Sequence, residues 1–184
     1  MKTIKILSLL AFAGTTFMAC SSDDDAPEVI NEEETITTMT ISLVPDGGGT
    51  TITLQSQDLD GDGPNAPEIT VSGNLAASTT YSGSVVLLNE TESPAENITE
   101  EVEEEDEEHQ FFYVTTGSIE SVTYDDEDDD GNPVGLEFTL VTGAAGDATL
   151  AATLRHEPKK PNDGTLADAG GETDFTETFM LTVE

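Results

Sequence analysis

The stretch Ala148–His156, "ATLAATLRH", places Leu150, Ala152, Leu154 and His156 on one side of an extended chain. Successive side chains of a strand point to opposite faces, so this period of two predicts a strand with one buried face. The same alternation recurs. Met39, Ile41 and Leu43 share a face in "TMTISL"; Leu136, Phe138 and Leu140 do so in "GLEFTL". In "FTETFMLTV", Phe175, Phe179, Leu181 and Val183 lie together, with Glu177 as the exception. "TTITL", "YSGSVVLL", "QFFYV" and "SVTY" bring the set to about eight strands. Turn-forming segments separate them, among them "PDGGG", "DGDGPN", "DDDGNP", "EPKKPNDG" and "DAGGE".

Many short strands joined by Gly- and Pro-rich turns predict an all-β fold over residues 35–184. The expected architecture is an antiparallel β-sandwich, immunoglobulin-like in outline. No repeat of fixed period is present, and 184 residues suffice for one domain with a real core.

The net charge is −34, from 39 acids against 5 basic residues. Nucleic acid and anionic membrane surfaces would repel such a chain. Cations and basic protein patches would attract it. The acidity is clustered at Asp23–Asp25, Glu32–Glu34, Glu100–Glu108 and Asp125–Asp130. Strand-forming segments lie between the clusters, which argues against wholesale disorder.

The first residues, "MKTIKILSLLAFAGTTFMAC", have a positive start at Lys2 and Lys5 and an apolar stretch from Ile6 to Phe17. That stretch has the length of a secretory signal and is short for a membrane span. Cys20 is the single cysteine, so no internal disulfide can form. "FMAC" resembles the bacterial lipobox, with Ala19 in keeping and Phe17 and Met18 departing from the commonest residues. The resemblance implies a signal peptide over 1–19 and lipidation of Cys20, hence attachment to a membrane through lipid. "CSSDDD" resembles the acidic tag of surface-exposed lipoproteins of some Gram-negative bacteria. It implies an outer-membrane lipoprotein on the cell surface, with the periplasmic face as the alternative. Residues 20–34, polar and acidic, then form a tether to the domain.

One segment breaks the strand pattern. "SPAENITEEVEEEDEEH" opens with Ser93, Pro94 and Glu96 in capping-box spacing, which predicts a helix from about Pro94 to Glu108. From Glu100 to Glu108 eight of nine residues are acids. Like charges at i, i+4 and acids in the last turn both oppose a helix, so something should compensate. Extending the Ile98–Val102 stripe carries Glu105, Asp106 and then His109 to the inward face. A carboxylate and an imidazole at such spacing can ligate one metal ion. His156 is also directed inward, with Glu157 beside it. This predicts a divalent-metal site from His109, His156, Glu105 and Asp106, with zinc as occupant. The alternative is two ordinary half-buried histidines and a solvated acidic face.

Two aspartate loops carry a second candidate chemistry. Asp126, Asp128, Asp130 and Gly131, followed by Glu137, have the spacing of an EF-hand calcium loop. Their flanks are strands, so the expectation is a calcium loop in a hairpin, not an EF-hand domain. Asp58, Asp60 and Asp62 form a weaker copy, because Glu68 comes one residue early. A solvated Asp/Gly turn is the alternative for each.

No nucleophile elbow, HExxH or phosphate loop occurs, so no catalysis and no organic cofactor are expected. Two readings of function remain. One is a surface lipoprotein whose sandwich binds divalent cations, zinc or calcium, in the service of an outer-membrane protein such as a transporter. The other is a structural or adhesive module whose calcium-bound loops are merely stiffened. The first requires His109 and His156 to meet in space.

Overall fold

The computed structural model describes residues 34–61 and 63–184. Among these, ten strands occur: β1 (Thr38–Pro45), β2 (Ile52–Gln57), β3 (Glu68–Val71), β4 (Thr80–Asn89), β5 (Glu96–Asn97), β6 (His109–Gly117), β7 (Ile119–Tyr124), β8 (Glu137–Thr142), β9 (Gly146–His156) and β10 (Glu172–Val183). Two short helices, α1 (Ile98–Glu104) and α2 (Leu166–Ala169), accompany them. No helix of the described residues is long and apolar enough to cross a membrane.

The strands form an all-β, antiparallel sandwich. One sheet runs β3-β2-β1-β4-β8-β7, with β5 paired to β4; the other runs β10-β9-β6. All eight strands legible in the alternation are present. Their apolar faces meet between the sheets: Met39, Ile41 and Leu43 of β1 and Phe138 and Leu140 of β8 against Leu150 and Leu154 of β9 and Phe179 of β10, all fully buried. Glycine at 83 is required by packing. It pairs with Phe138 across β4 and β8, and a Cβ there would lie 2.4 Å from the Phe138 ring.

Glu177, the charge on the apolar face of β10, meets the buried Ser56 of the opposite sheet, whose hydroxyl donates to its carboxylate at 2.8 Å. The hydrogen bond satisfies both groups at the sheet interface.

The acidic helix is shorter than its capping box predicts. Ser93 does not cap it. Glu96 and Asn97 pair with β4 as β5, and Asn97 precedes the first helical turn. The helix ends at Glu104, and residues 105–108 turn instead. Two forces set these bounds. The β4 edge supplies hydrogen-bond partners that draw Glu96–Asn97 into the sheet, and the run of acids opposes extension at the C-terminal end. Ile98, Thr99 and Val102 are buried. The Leu87 amide donates to the Thr99 hydroxyl at 2.8 Å, tying α1 to β4. His109 therefore begins a strand and does not lie on the helix stripe.

Candidate metal centre

His109 and His156 are paired residues of adjacent antiparallel strands, β6 and β9. Their rings face the interior with centroids 4.6 Å apart. Alternation along β9 directs His156 inward, as the sequence predicts. His109 arrives at the same level because β6 starts there, directly opposite.

The carboxylates that join them are not Glu105 and Asp106. The Glu105 side chain is exposed; its backbone carbonyl lies 3.0 Å from His109 Nδ1. The Asp106 carbonyl accepts from Lys160 Nζ. The turn at 105–108 replaces the helical register that would have pointed both side chains inward. Glu34 and Asp174 take their place.

Glu34 precedes β1 and was expected to close the tether. Its Oε1 lies 3.2 Å from His109 Nε2, and its Oε2 lies 3.7 Å from His156 Nδ1. Asp174 reaches the site through a bulge. Thr173 pairs with Arg155 and Phe175 with Leu154, which leaves Asp174 as the extra residue of β10. A bulged residue escapes strand alternation, and the Asp174 side chain is fully buried, with Oδ1 3.8 Å from His156 Nδ1. Gly171, just before the bulge, has φ +62, and a Cβ there would lie 2.1 Å from the His156 carbonyl oxygen. Only glycine lets β10 approach the end of β9 so closely.

One ligand atom from each of Glu34, His109, His156 and Asp174 lies within 4.8 Å of the other three. A tetrahedral ion 2.0–2.2 Å from its nitrogen and oxygen ligands holds them about 3.4 Å apart. The closest approaches here, 3.2 to 3.8 Å, bracket that spacing. The site is dry: His109 is 0% exposed and His156 3%. His109 Nδ1–H is placed to donate to the Glu105 carbonyl, which leaves the Nε2 lone pair facing a carboxylate. Glu34 Oε2, His109 Nε2 and both His156 nitrogens are buried without a hydrogen-bond partner among the described residues. His109 Nε2 and Glu34 Oε1, two acceptors 3.2 Å apart in the interior, need a cation between them, either a proton or a metal ion.

The electrostatics agree. Burial opposes the charged form of His109, but Glu34 and the Glu105 carbonyl outweigh it and hold the pKa above its ordinary value of 6.5. Burial likewise opposes ionised Glu34, yet His109 and His156 hold its pKa below 4.5. The signs of linkage follow. In metal-free protein the raised His109 contributes stability below about pH 6.5 and loses it as pH rises through the folded value. The depressed Glu34 contributes above about pH 4.5 and loses it as pH falls. A metal ion must displace the His109 proton. Melting temperatures measured from pH 5 to 8.5 should therefore separate: the EDTA-treated protein loses stability toward the alkaline end, while stabilisation by added zinc grows there. Parallel curves would refute a shared proton and metal seat.

The aspartate loops do not assemble into comparable groups. Asp126 accepts from the amides of Gly135, Leu136 and Glu137. Asp128 is buried and accepts from Asn132 and from the Asp130 amide, and it forms an ion pair with Lys160 at 3.0 Å. Asp130 and Glu137 are exposed. No three ligand atoms of this loop come within 4.8 Å of one another, because two of its carboxylates already hold the loop's own amides and a lysine. In the other loop, Asp58 accepts from the Asp60 amide at 3.2 Å and Asp60 from Asn65 at 2.6 Å. Asp62, like Cys20 and the rest of residues 1–33, lies outside the described residues.

No family model, curated protein or solved structure matches this chain. Two imidazoles and two carboxylates form a donor set suited to a divalent transition metal. With neutral rings, the two carboxylates balance the charge of a divalent ion, so loading replaces a buried anionic cluster by a neutral one.

Proposed function

We propose that this chain is a cell-envelope lipoprotein whose β-sandwich holds a divalent cation at Glu34, His109, His156 and Asp174, with zinc as the preferred ion. One observation carries the reading: one ligand atom from each of four residues, all within 4.8 Å of one another, with His109 Nε2 and both His156 nitrogens buried and lacking a hydrogen-bond partner among the described residues. Zinc suits mixed nitrogen and oxygen donors in fours. Calcium takes six to eight oxygens and has no use for imidazole.

The envelope assignment rests on "FMAC" and "CSSDDD". In this reading Cys20 carries the lipid, residues 20–33 tether the domain at the surface of the outer membrane, and the cation is held for an outer-membrane partner. The burial of the His109, His156 and Asp174 side chains favours a variant in which the ion is retained and stiffens the module. Chelator challenge separates the two. An ion held for delivery leaves within minutes of adding excess chelator; a structural ion leaves only on unfolding.

A thermal melt tests the metal assignment. The purified protein, stripped with EDTA, should melt higher in zinc and show no comparable rise in calcium. A calcium rise without a zinc rise would overturn the zinc centre and return the assignment to the aspartate loops.

A further inference from the structure

Both histidine rings and the Asp174 side chain of the centre are buried, so an incoming ion has to pass its own ligands. A second group of ligands adjoins it. Atoms of Glu108, His156 and Glu157 lie within 4.8 Å of one another. His156 Nε2, on the far side of the ring from Glu34 and Asp174, faces Glu108 Oε2 at 3.8 Å. This nitrogen is buried and has no hydrogen-bond partner among the described residues. The Glu108 side chain is 58% exposed and Glu157 is exposed. Their backbones are locked together, the Glu157 amide donating to the Glu108 carbonyl at 2.7 Å.

We propose that Glu108, His156 and Glu157 form an open divalent-cation capture site from which the buried centre is loaded. The proposal rests on the buried four-ligand centre and adds the route by which it fills. Three protein ligands with positions left for water are the arrangement of an exchangeable site, whereas four enclosed ligands retain their ion. His156 belongs to both groups. A neutral imidazole has one lone pair, on Nδ1 or on Nε2. The ring can therefore serve the open site or the closed one, but not both at once. With the ion on Nε2, Nδ1 carries the proton and faces the carboxylates of Glu34 and Asp174, 3.7 and 3.8 Å away. With the ion on Nδ1, Nε2 carries the proton and points at Glu108, which orients the ring as a carboxylate partner does in many metal sites. At His156, transfer inward releases one proton from Nδ1 and takes one up on Nε2, while a charged His109 gives up its own proton to the solvent. The acid run Glu100–Glu108 ends at this mouth and raises the local cation concentration.

The test uses Co²⁺ alone as the probe, since its visible absorption reports entry into a four-ligand centre. Loading rates and equilibrium affinity are measured for the unaltered protein, for Glu108→Gln/Glu157→Gln, and for Glu103→Gln/Glu104→Gln, which removes the same charge from the run elsewhere. The expected result is loading slowed about tenfold in the first pair, with less than a twofold change in the second and one tightly bound Co²⁺ in all three. Glu108→Gln alone, at an exposed position, should show part of the same slowing. Equal slowing in both pairs would assign the effect to the general field and overturn the capture site. Unchanged rates would overturn it too, while leaving the buried centre standing. Absence of the absorption band in the unaltered protein would instead remove the buried centre, and the capture site with it.

Discussion

His156→Ala should abolish the stabilisation by zinc. In the unaltered protein, zinc at 100 times its Kd should contribute about 2.7 kcal/mol, which for a chain of this size raises the melting temperature by roughly 5–10 °C. The effect is large because His156 Nδ1 is the atom common to the contacts with Glu34 and Asp174. Without it, two carboxylates and the His109 imidazole remain, too few ligands to complete the set of four. His109→Ala should behave alike, since its Nε2 is the partner of Glu34 Oε1. The informative contrast is Glu105→Gln/Asp106→Asn. Those side chains stand outside the cluster, so the double variant should keep the full zinc-induced rise. Melts with EDTA and with zinc, on all four proteins, decide the matter. A zinc response that survives His156→Ala would place the ion elsewhere.

Lys160→Met should destabilise the protein by about 3 kcal/mol. The Lys160 and Asp128 side chains are 7% and 1% exposed, so the substitution strands a buried carboxylate. The amides and side chain that also donate to Asp128 soften the loss, which keeps it at the low end for a broken buried pair. Asp128→Asn/Lys160→Met should recover much of it, because neither partner is then left charged and alone. Burial opposes ionised Asp128, but Asn132 and Lys160 prevail and hold its pKa below 3.8. Its contribution is thus present above about pH 3.8 and lost as pH falls through the folded value. Urea unfolding at neutral pH measures the single and double variants. A cost under 1 kcal/mol for Lys160→Met would mean that the pair is solvated in solution.

What the sequence disclosed followed from locality. Period-two alternation exposed eight strands, since each strand repeats its signal over several residues, as Leu150, Ala152 and Leu154 do. β3 and β5 carry four and two residues, too few for a period to show. The division of strands between two sheets depends on non-local pairing, which no single segment encodes. The histidine pair was half legible. His156 lay on an apolar strand face, but His109 was brought inward by an extended helix register that the structure replaces with a turn. The carboxylates were hidden for separate reasons. Alternation assigns Asp174 to the face opposite Phe175, and only the bulge reverses that. Glu34 stands at the end of an acidic run and reaches its partners across more than seventy positions, so nothing near it marks the role.

Glu34 also has a mechanical position. Tension applied to the chain N-terminal to it arrives at Glu34 before it reaches the first residue of β1, Thr38. With the ion in place, a pull from the amino-terminal side must first detach a carboxylate from a metal held by three residues of the other sheet. Only then does the load reach the hydrogen bonds between β1 and its neighbours β2 and β4. The centre would act as a strain relief for any load arriving from that side, sparing the sheet from forces that peel strands one bond at a time.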